Sequence, residues 1–193
     1  TGITDVHLSD KGFHDAGKLG QEVAKQHLVF DVAYCSEQIR TLETLEGILD
    51  ASGQFDVPFE RSGALNERDY GDYTGKNKWE VRDLIGEDQF QRIRRGWDVP
   101  VPNGETLKIV YERVVPFYVE TIVPQLLNGK NILLVSHGNG IRSLIKYIES
   151  ISDEDIENVE MIFNTILVYD VDDTGKQMKK QTYTVDVSPS TNA

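Results

Sequence analysis

The sequence has 193 residues, 39% hydrophobic and 27% charged, with a net charge of −12, a composition that buries one sizeable core without staples and lies far from the disordered class. The acidic balance repels polyanions and argues against nucleic acid and acidic membrane as partners, and no apolar run approaches the length that spans a bilayer. A single cysteine, Cys35, excludes an intrachain disulfide framework and a metal cluster of several thiolates, and fits a reducing, cytoplasmic compartment.

No internal repeat, low-complexity tract or Gly/Ser-rich linker divides the chain, so one domain over residues 1–193 is expected. Ser9 is a good N-cap for a helix near Asp10 to Gln26, in which Phe13, Ala16, Gly20 and Val23 recur at helical spacing and the small residues invite close packing. Val32 to Ser36 reads as a short buried strand, followed by a helix with Leu42, Leu45 and Leu49 on one face. Leu65 to Lys78, LNERDYGDYTGKNK, is polar, glycine-rich and too irregular for one helix or strand. Pro100, Pro102 and Gly104 mark a loop between helices around Asp98 to Gly104. Leu107, Val110, Val114 and Phe117 predict a third amphipathic helix, kinked or interrupted by Pro116 and Pro124, which lack an N–H donor. The apolar run Ile132 to Val135 within Lys130 to His137 predicts a strand covered on both faces, and hence a central one. Ile141, Leu144, Ile145 and Ile148 return to helical spacing, and Ile166 to Val171 supplies another strand. This alternation predicts an α/β sandwich with a mainly parallel sheet.

The segment Leu133 to Arg142, LLVSHGNGIR, places His137 at the end of a strand and Gly138 to Gly140 at the start of a helix. Ligands of open α/β sheets bind at the carboxyl ends of strands, and a helix N-terminus offers free N–H groups to an anion. The two glycines permit close backbone approach, Asn139 adds a side-chain amide, and His137 can donate a hydrogen bond or a proton. The alternative, less favoured, reading of His137 is a structural histidine beside a glycine turn, and His7, His14 and His27, which lack such a setting, read as surface residues. In the Leu65 to Lys78 stretch, Glu67 beside Arg68 and Tyr70 is either a proton-shuttling carboxylate in a functional loop or part of a solvated loop with a local ion pair. Arg94 and Arg95, with Arg40 and Lys78, are either anion contacts or solvated helix residues.

Together these segments resemble the cofactor-dependent phosphoglycerate mutases of the histidine phosphatase superfamily. TGITDVHLSDKG resembles the segment that follows their histidine loop, and FDVAYCSEQIRTLET their arginine-bearing strand and helix. LNERDYGDYTGKNKWE and IRRGWDVPVPNGETL resemble their acid and paired-arginine segments, and GKNILLVSHGNGIRSLIKYIE their second-histidine segment. The matches keep the family's order along nearly the whole chain. The resemblance implies a three-layer α/β/α sandwich with a mostly parallel central sheet, a homodimer, and interconversion of 3-phosphoglycerate and 2-phosphoglycerate in glycolysis and gluconeogenesis. The implied route is a phosphohistidine loaded by 2,3-bisphosphoglycerate, with no metal. It makes Glu67 the proton donor and acceptor and His137 the residue that stabilises the transferring phosphoryl group. Thr1, Gly2, Arg40, Arg68, Tyr70, Lys78, Arg94, Arg95, Gly138 and Asn139 become phosphoglycerate-binding positions.

Three departures accompany the match. The family's Arg-His-Gly motif, whose histidine is the phosphorylated nucleophile, is expected just upstream of Thr1, and a trimmed N-terminus is favoured over a degenerate protein. Asp69 stands where the family usually has histidine, and Ile162 to Thr165 where it usually has a threonine-glycine pair; both are expected to alter selectivity. Two other functions share many of these residues: a phosphatase of the same superfamily, and a non-catalytic phosphometabolite-binding protein that has lost its nucleophile. The long acid segment and IRRGW favour the mutase.

Overall fold

A computed structural model describes residues 2–161 and 163–186. Helix α1, Asp10–Lys25, begins where Ser9 Oγ accepts the Gly12 N–H at 3.2 Å. It packs against α2, Ile39–Ser52, through small residues: a Cβ at Gly20 would lie 2.7 Å from the Ala51 Cβ, and one at Gly47 would lie 2.9 Å from the Ala16 Cβ. Ala16, Gly20 and Val23 are buried as their spacing predicts. Phe13 is not; it sits in the first turn, before the Ala16–Gly20 contact, and stays 48% exposed.

Strands β1, Val32–Cys35, and β2, Phe59–Arg61, run parallel, and β1 also pairs in parallel with β3, Ile132–Val135. The period of two divides their side chains between two cores. Val32, Tyr34, Ile132 and Leu134 face α5, Leu107–Phe117, and α7, Gly138–Ile148, in a cluster with Val110, Val114, Leu144 and Ile148. Ala33, Cys35, Leu133 and Val135 face the other way, against Val23, Leu45, Ile48 and Leu49 of α1 and α2. Helices on both faces of a parallel sheet make the α/β/α arrangement. Each fully buried aliphatic side chain in these clusters contributes roughly 1.5–3 kcal/mol.

The expectation of a central β3 is corrected. The sheet order is β2-β1-β3, so among the described residues β3 is an edge strand. Its last residue is buried and its first three only partly so, because its outer edge pairs with nothing described. Strands β4, Thr165–Val171, and β5, Gln177–Thr184, form a separate antiparallel pair, although Ile166 of β4 packs into the α1–α2 core and Tyr169 and Val171 into the α5–α7 core.

Two helices follow the acid segment: α3, Lys78–Ile85, capped by Asn77, and α4, Glu87–Arg95. The two prolines do not stop the later helix but reshape it. Pro116 lies in the last turn of α5, a wider turn covers Tyr118–Ile122, and Pro124 falls in the first turn of α6, Val123–Leu127, where no intrahelical donor is required. Among the described residues no helix is long and apolar enough to cross a membrane.

Candidate active site

Because β1 and β3 pair with Cys35 opposite Val135, their carboxyl ends lie side by side and deliver Ser36 and His137 to one point. The His137 Nε2 is 2.8 Å from Ser36 Oγ, and its Nδ1 is 3.3 Å from Arg40 Nε on the first turn of α2. Arg40 Nε can only donate, so Nδ1 accepts and the ring proton resides on Nε2, facing Ser36. Ser36 Oγ also receives the Gln38 N–H at 3.1 Å and lies 2.6 Å from Thr41 Oγ1. His137 is the N-cap residue of α7 and 7% exposed. The amides of Gly138, Asn139 and Gly140 precede the first intrahelical bond, from Ile141 N–H to the His137 carbonyl at 2.8 Å. Beside Gly138 the space is open, since a Cβ there would meet nothing within 4 Å, whereas one on Gly140 would lie 2.5 Å from Ser136 Oγ.

Burial, reinforced by the charges of Arg40 and Arg113, lowers the His137 pKa from 6.5 to about 3. The imidazole is therefore a neutral hydrogen-bond donor at pH 7; an anion placed against it would oppose that shift. The native group binds fewer protons than the unfolded one, so its contribution to stability is complete above 6.5 and is lost as pH falls toward about 3. Near pH 5 the wild type should lose ~1.4 kcal/mol per pH unit more than a His137→Gln variant, which lacks the titrating group. Urea unfolding of both proteins from pH 7 to 4 measures the difference, and parallel pH curves would contradict it.

The acid segment closes the other side. Glu67 Oε1 accepts the Arg68 N–H at 2.8 Å and the Asn139 Nδ2–H at 3.1 Å, while the same Nδ2 lies 3.0 Å from the Tyr70 hydroxyl. The second carboxylate oxygen of Glu67 has no protein partner among the described residues. Gln38, buried, joins the parts: its Oε1 takes the Glu67 N–H at 2.7 Å and its Nε2 donates to the Gly2 carbonyl at 3.2 Å. That carbonyl also receives Arg40 Nη2 at 2.9 Å. Gly2 has φ +52°, and a Cβ there would press on Thr74 Oγ1 at 3.1 Å and the Tyr70 ring at 3.4 Å, so glycine suits both its backbone and its place. The structure thus brings Gly2, Arg40, Glu67, Tyr70, His137, Gly138 and Asn139 together. Thr1 and Ile162 lie outside the described residues.

The other cations are placed differently. Arg68 is fully buried; its Nε donates to the Glu105 carbonyl at 2.6 Å and its Nη1 to the Ile93 carbonyl at 2.8 Å. Arg142 of α7, also buried, donates to the carbonyls of Arg94 at 3.2 Å and of Arg95 and Ile156 at 2.8 Å. The last carbonyls of a helix lack intrahelical donors, so these two guanidinium groups cap α4 and fix the backbone that carries Arg94 and Arg95. Burial lowers the Arg142 pKa to about 10, against the opposing pull of Tyr70 and with the help of Arg95, Arg68 and Arg94. Arg94 is exposed with its guanidinium 5.4 Å from the Phe90 ring centroid, and Arg95 pairs with Glu160 at 3.0 Å. Lys78 is exposed over the Trp79 ring and has no contact with the cluster among the described residues. Asp69 turns into its own loop, where Oδ1 accepts Gly71 N–H at 2.8 Å and the Thr74 hydroxyl at 3.1 Å. Gln38, Glu105, Arg113 and Arg142 are not distinguished by the sequence reading, although Gln38, Glu105 and Arg142 lie in segments that carry the resemblance. A charged or amide residue amid apolar helical spacing, as at Arg142, was the available signal.

Three cations of this region, Arg40, Arg68 and Arg142, have no carboxylate within ion-pair distance among the described residues, in a chain of net charge −12. The family model described as histidine phosphatase superfamily (branch 1) matches residues 1–184. The chain belongs to the histidine phosphatase superfamily. Within it, the chain is 44% identical over 169 residues to a protein of Bradyrhizobium diazoefficiens, covering 88% of this chain and 82% of that one. It is 39% identical over 181 residues to one of Parvibaculum lavamentivorans, covering 94% and 86%. Both relatives are named 2,3-bisphosphoglycerate-dependent phosphoglycerate mutase. The solved structure of Bacillus stearothermophilus YhfR, 25% identical, superposes with a TM-score of 0.74 over 91% of this chain and 88% of that one. The superfamily fold therefore extends along nearly the whole chain, with the His137 cluster at the carboxyl ends of its parallel strands.

Proposed function

We propose that the protein interconverts 3-phosphoglycerate and 2-phosphoglycerate, as its relatives' names state of them, through a phosphohistidine. The observation that carries this reading is the double contact of Asn139 Nδ2 with Glu67 and Tyr70, which joins the acid loop to the phosphate-binding end of α7 in one site. The α7 amides, Arg40 and the arginine pair of α4 are proposed to hold the phosphate and carboxylate groups of the substrate, with Gly2 and Tyr70 lining it and Arg68 acting through the α4 backbone. Lys78 joins them only if α3 moves. His137 is proposed as the hydrogen-bond donor to the transferring phosphoryl group, its N–H exchanging the Ser36 contact seen here for the anion. Glu67 takes the proton of the attacking hydroxyl and returns it to the leaving oxygen.

Arg40, which has no carboxylate partner among the described residues, and the α7 terminus fit 2,3-bisphosphoglycerate, whose chemistry there would be to supply the phosphoryl group that primes the enzyme. The phosphorylated histidine is proposed to come from an Arg-His-Gly segment preceding Thr1, since His7, His14 and His27 are exposed and outside the cluster. The unpaired outer edge of β3, beside His137, gives such a segment a place to pair. One domain, a homodimer and a cytoplasmic location complete the proposal. No group of three or more potential metal ligands occurs among the described residues, and no step here requires one.

The test is product analysis on the complete gene product. After incubation with 2,3-bisphosphoglycerate it should carry an acid-labile phosphohistidine and convert 3-phosphoglycerate to 2-phosphoglycerate. Release of inorganic phosphate with no 2-phosphoglycerate would make it a phosphatase; binding without phosphorylation would make it a phosphometabolite-binding protein.

A further inference from the structure

The loop that carries Glu67 has little regular backbone pairing to hold it. After the short turn Gly63–Leu65, residues 66–70 form neither helix nor strand. Their backbone groups need partners from elsewhere, and one ion pair, Glu105 with Arg113, supplies those of the Glu67 carbonyl and the Asp69 N–H. Arg113, in the middle of α5, meets Glu105, just before that helix, through both arms of its fork: Nε to Oε1 at 3.0 Å and Nη2 to Oε2 at 3.0 Å. A guanidinium paired in this way keeps donors to spare. Nη1 gives one to the Ala64 carbonyl at 2.7 Å, and Nη2 gives another to the Glu67 carbonyl at 3.3 Å.

Glu105 holds the following residues. Its Oε2 accepts the Asp69 N–H at 2.9 Å, its carbonyl accepts Arg68 Nε at 2.6 Å, and its own N–H donates to the Asp69 carbonyl at 2.8 Å. Ala64, Glu67 and Asp69 are thus tied to two side chains, and Arg68 to the main chain of one of them; the pair is 24% and 22% exposed and so shielded from much of the screening that weakens surface pairs. The close approach is enforced by Gly71, with φ +49°, where a Cβ would collide with the Pro102 carbonyl, and by Gly104, where a Cβ would lie 2.7 Å from Gly71 N. Among the described residues neither Glu105 nor Arg113 hydrogen-bonds to His137, Gly138 or Asn139. One of their bonds ends on the Glu67 carbonyl itself, and the others on Ala64, Arg68 and Asp69 on either side of it.

We propose that the Glu105–Arg113 pair is a positioning device for Glu67, fixing the backbone from which its carboxylate reaches the substrate hydroxyl. The inference rests on the reading of Glu67 as the proton donor and acceptor. A catalytic group misplaced by about 1 Å can lose on the order of a hundredfold in rate, so a pair that never touches substrate governs turnover.

The experiment is a double-mutant cycle in the complete gene product, with kcat and KM for 3-phosphoglycerate measured well below the melting temperature. Arg113→Lys keeps the charge but not the fork, and Glu105→Gln keeps the size; each should lower kcat about tenfold or more and leave KM within about threefold. Introduced into a Glu67→Gln background, neither should lower kcat further, because the group they position is already gone. Hydrogen exchange of amides 66–70 should quicken in both single variants. A loss that multiplies in full in the Glu67→Gln background would overturn the proposal by showing that the pair acts elsewhere. So would a lowered melting temperature with unchanged kcat, which marks a purely structural pair. Normal turnover of Glu67→Gln alone would instead overturn the assignment of Glu67, a result distinct from either. Should Arg113→Lys fail to fold, Glu105→Gln completes the same cycle.

Discussion

Replacing His137 by alanine is expected to slow phosphorylation of the nucleophile by about a hundredfold or more, the scale of losing one donor aimed at charge that develops in a transition state. The imidazole lies at the point where β3 gives way to α7, with Arg40 on Nδ1 and Ser36 on Nε2, and donation to the phosphoryl group takes the place of the Ser36 contact. Substrate affinity should fall much less, because Arg40, the α7 amides and the α4 arginines remain. The fold should also survive: Ser36 Oγ keeps the Gln38 N–H and Thr41, and Arg40 keeps its bonds to the Thr4 and Gly2 carbonyls at 2.8 and 2.9 Å. Single-turnover phosphoenzyme formation from 2,3-bisphosphoglycerate reads the rate, and circular dichroism the fold. A near-normal rate in a folded variant would return His137 to the role of a structural histidine beside a glycine turn.

The parts of this molecule that were legible in the sequence are those governed by local periodicity. Val32, Tyr34, Ala33 and Cys35 divide between two cores as a doubly covered strand must, and the small residues of α1 set its approach to α2. The strand-to-helix passage at His137 was visible because a strand run, a polar turn and a helical run follow one another without a break. What escaped was non-local. The separation of β4 and β5 from β3 depends on what occupies the edge between them, which no spacing within Ile132 to Val135 records. The hairpin partner β5, Gln177–Thr184, is polar and almost wholly exposed, so it lacks the alternation that identifies a half-buried strand.

The site divides along the same line. Glu67 and His137 were recognisable as chemistry-bearing residue types in suitable segments, but Arg68 was read as a substrate contact when its guanidinium is turned inward onto the Glu105 and Ile93 carbonyls. A motif cannot distinguish a cation that meets the ligand from one that meets the backbone beneath it. Arg142 makes the same point from the opposite direction: it is buried four residues along α7 from Gly138, yet it caps the helix that bears the arginine pair.

The replacement of Glu67 by glutamine is expected to cost about a hundredfold or more in turnover if the carboxylate exchanges the proton of the reacting hydroxyl. The substitution isolates that role with unusual economy. Both hydrogen bonds at Oε1, from Arg68 N–H and Asn139 Nδ2, can be accepted equally by the amide oxygen of glutamine, and the side-chain volume barely changes. The Gln38 bond to the Glu67 N–H and the Arg113 bond to its carbonyl involve backbone atoms and are untouched. The loop should therefore stay in place, so KM should change far less than kcat and the melting temperature should move little. A carboxamide neither takes nor gives a proton near neutral pH, so the limb of the pH–rate profile that reports the acid–base group should vanish with the activity. Steady-state conversion of 3-phosphoglycerate across pH, with phosphohistidine formation followed in parallel, separates the proton step from priming. Turnover within a fewfold of wild type, with that limb intact, would show that Glu67 holds Asn139 in place while some other group moves the proton.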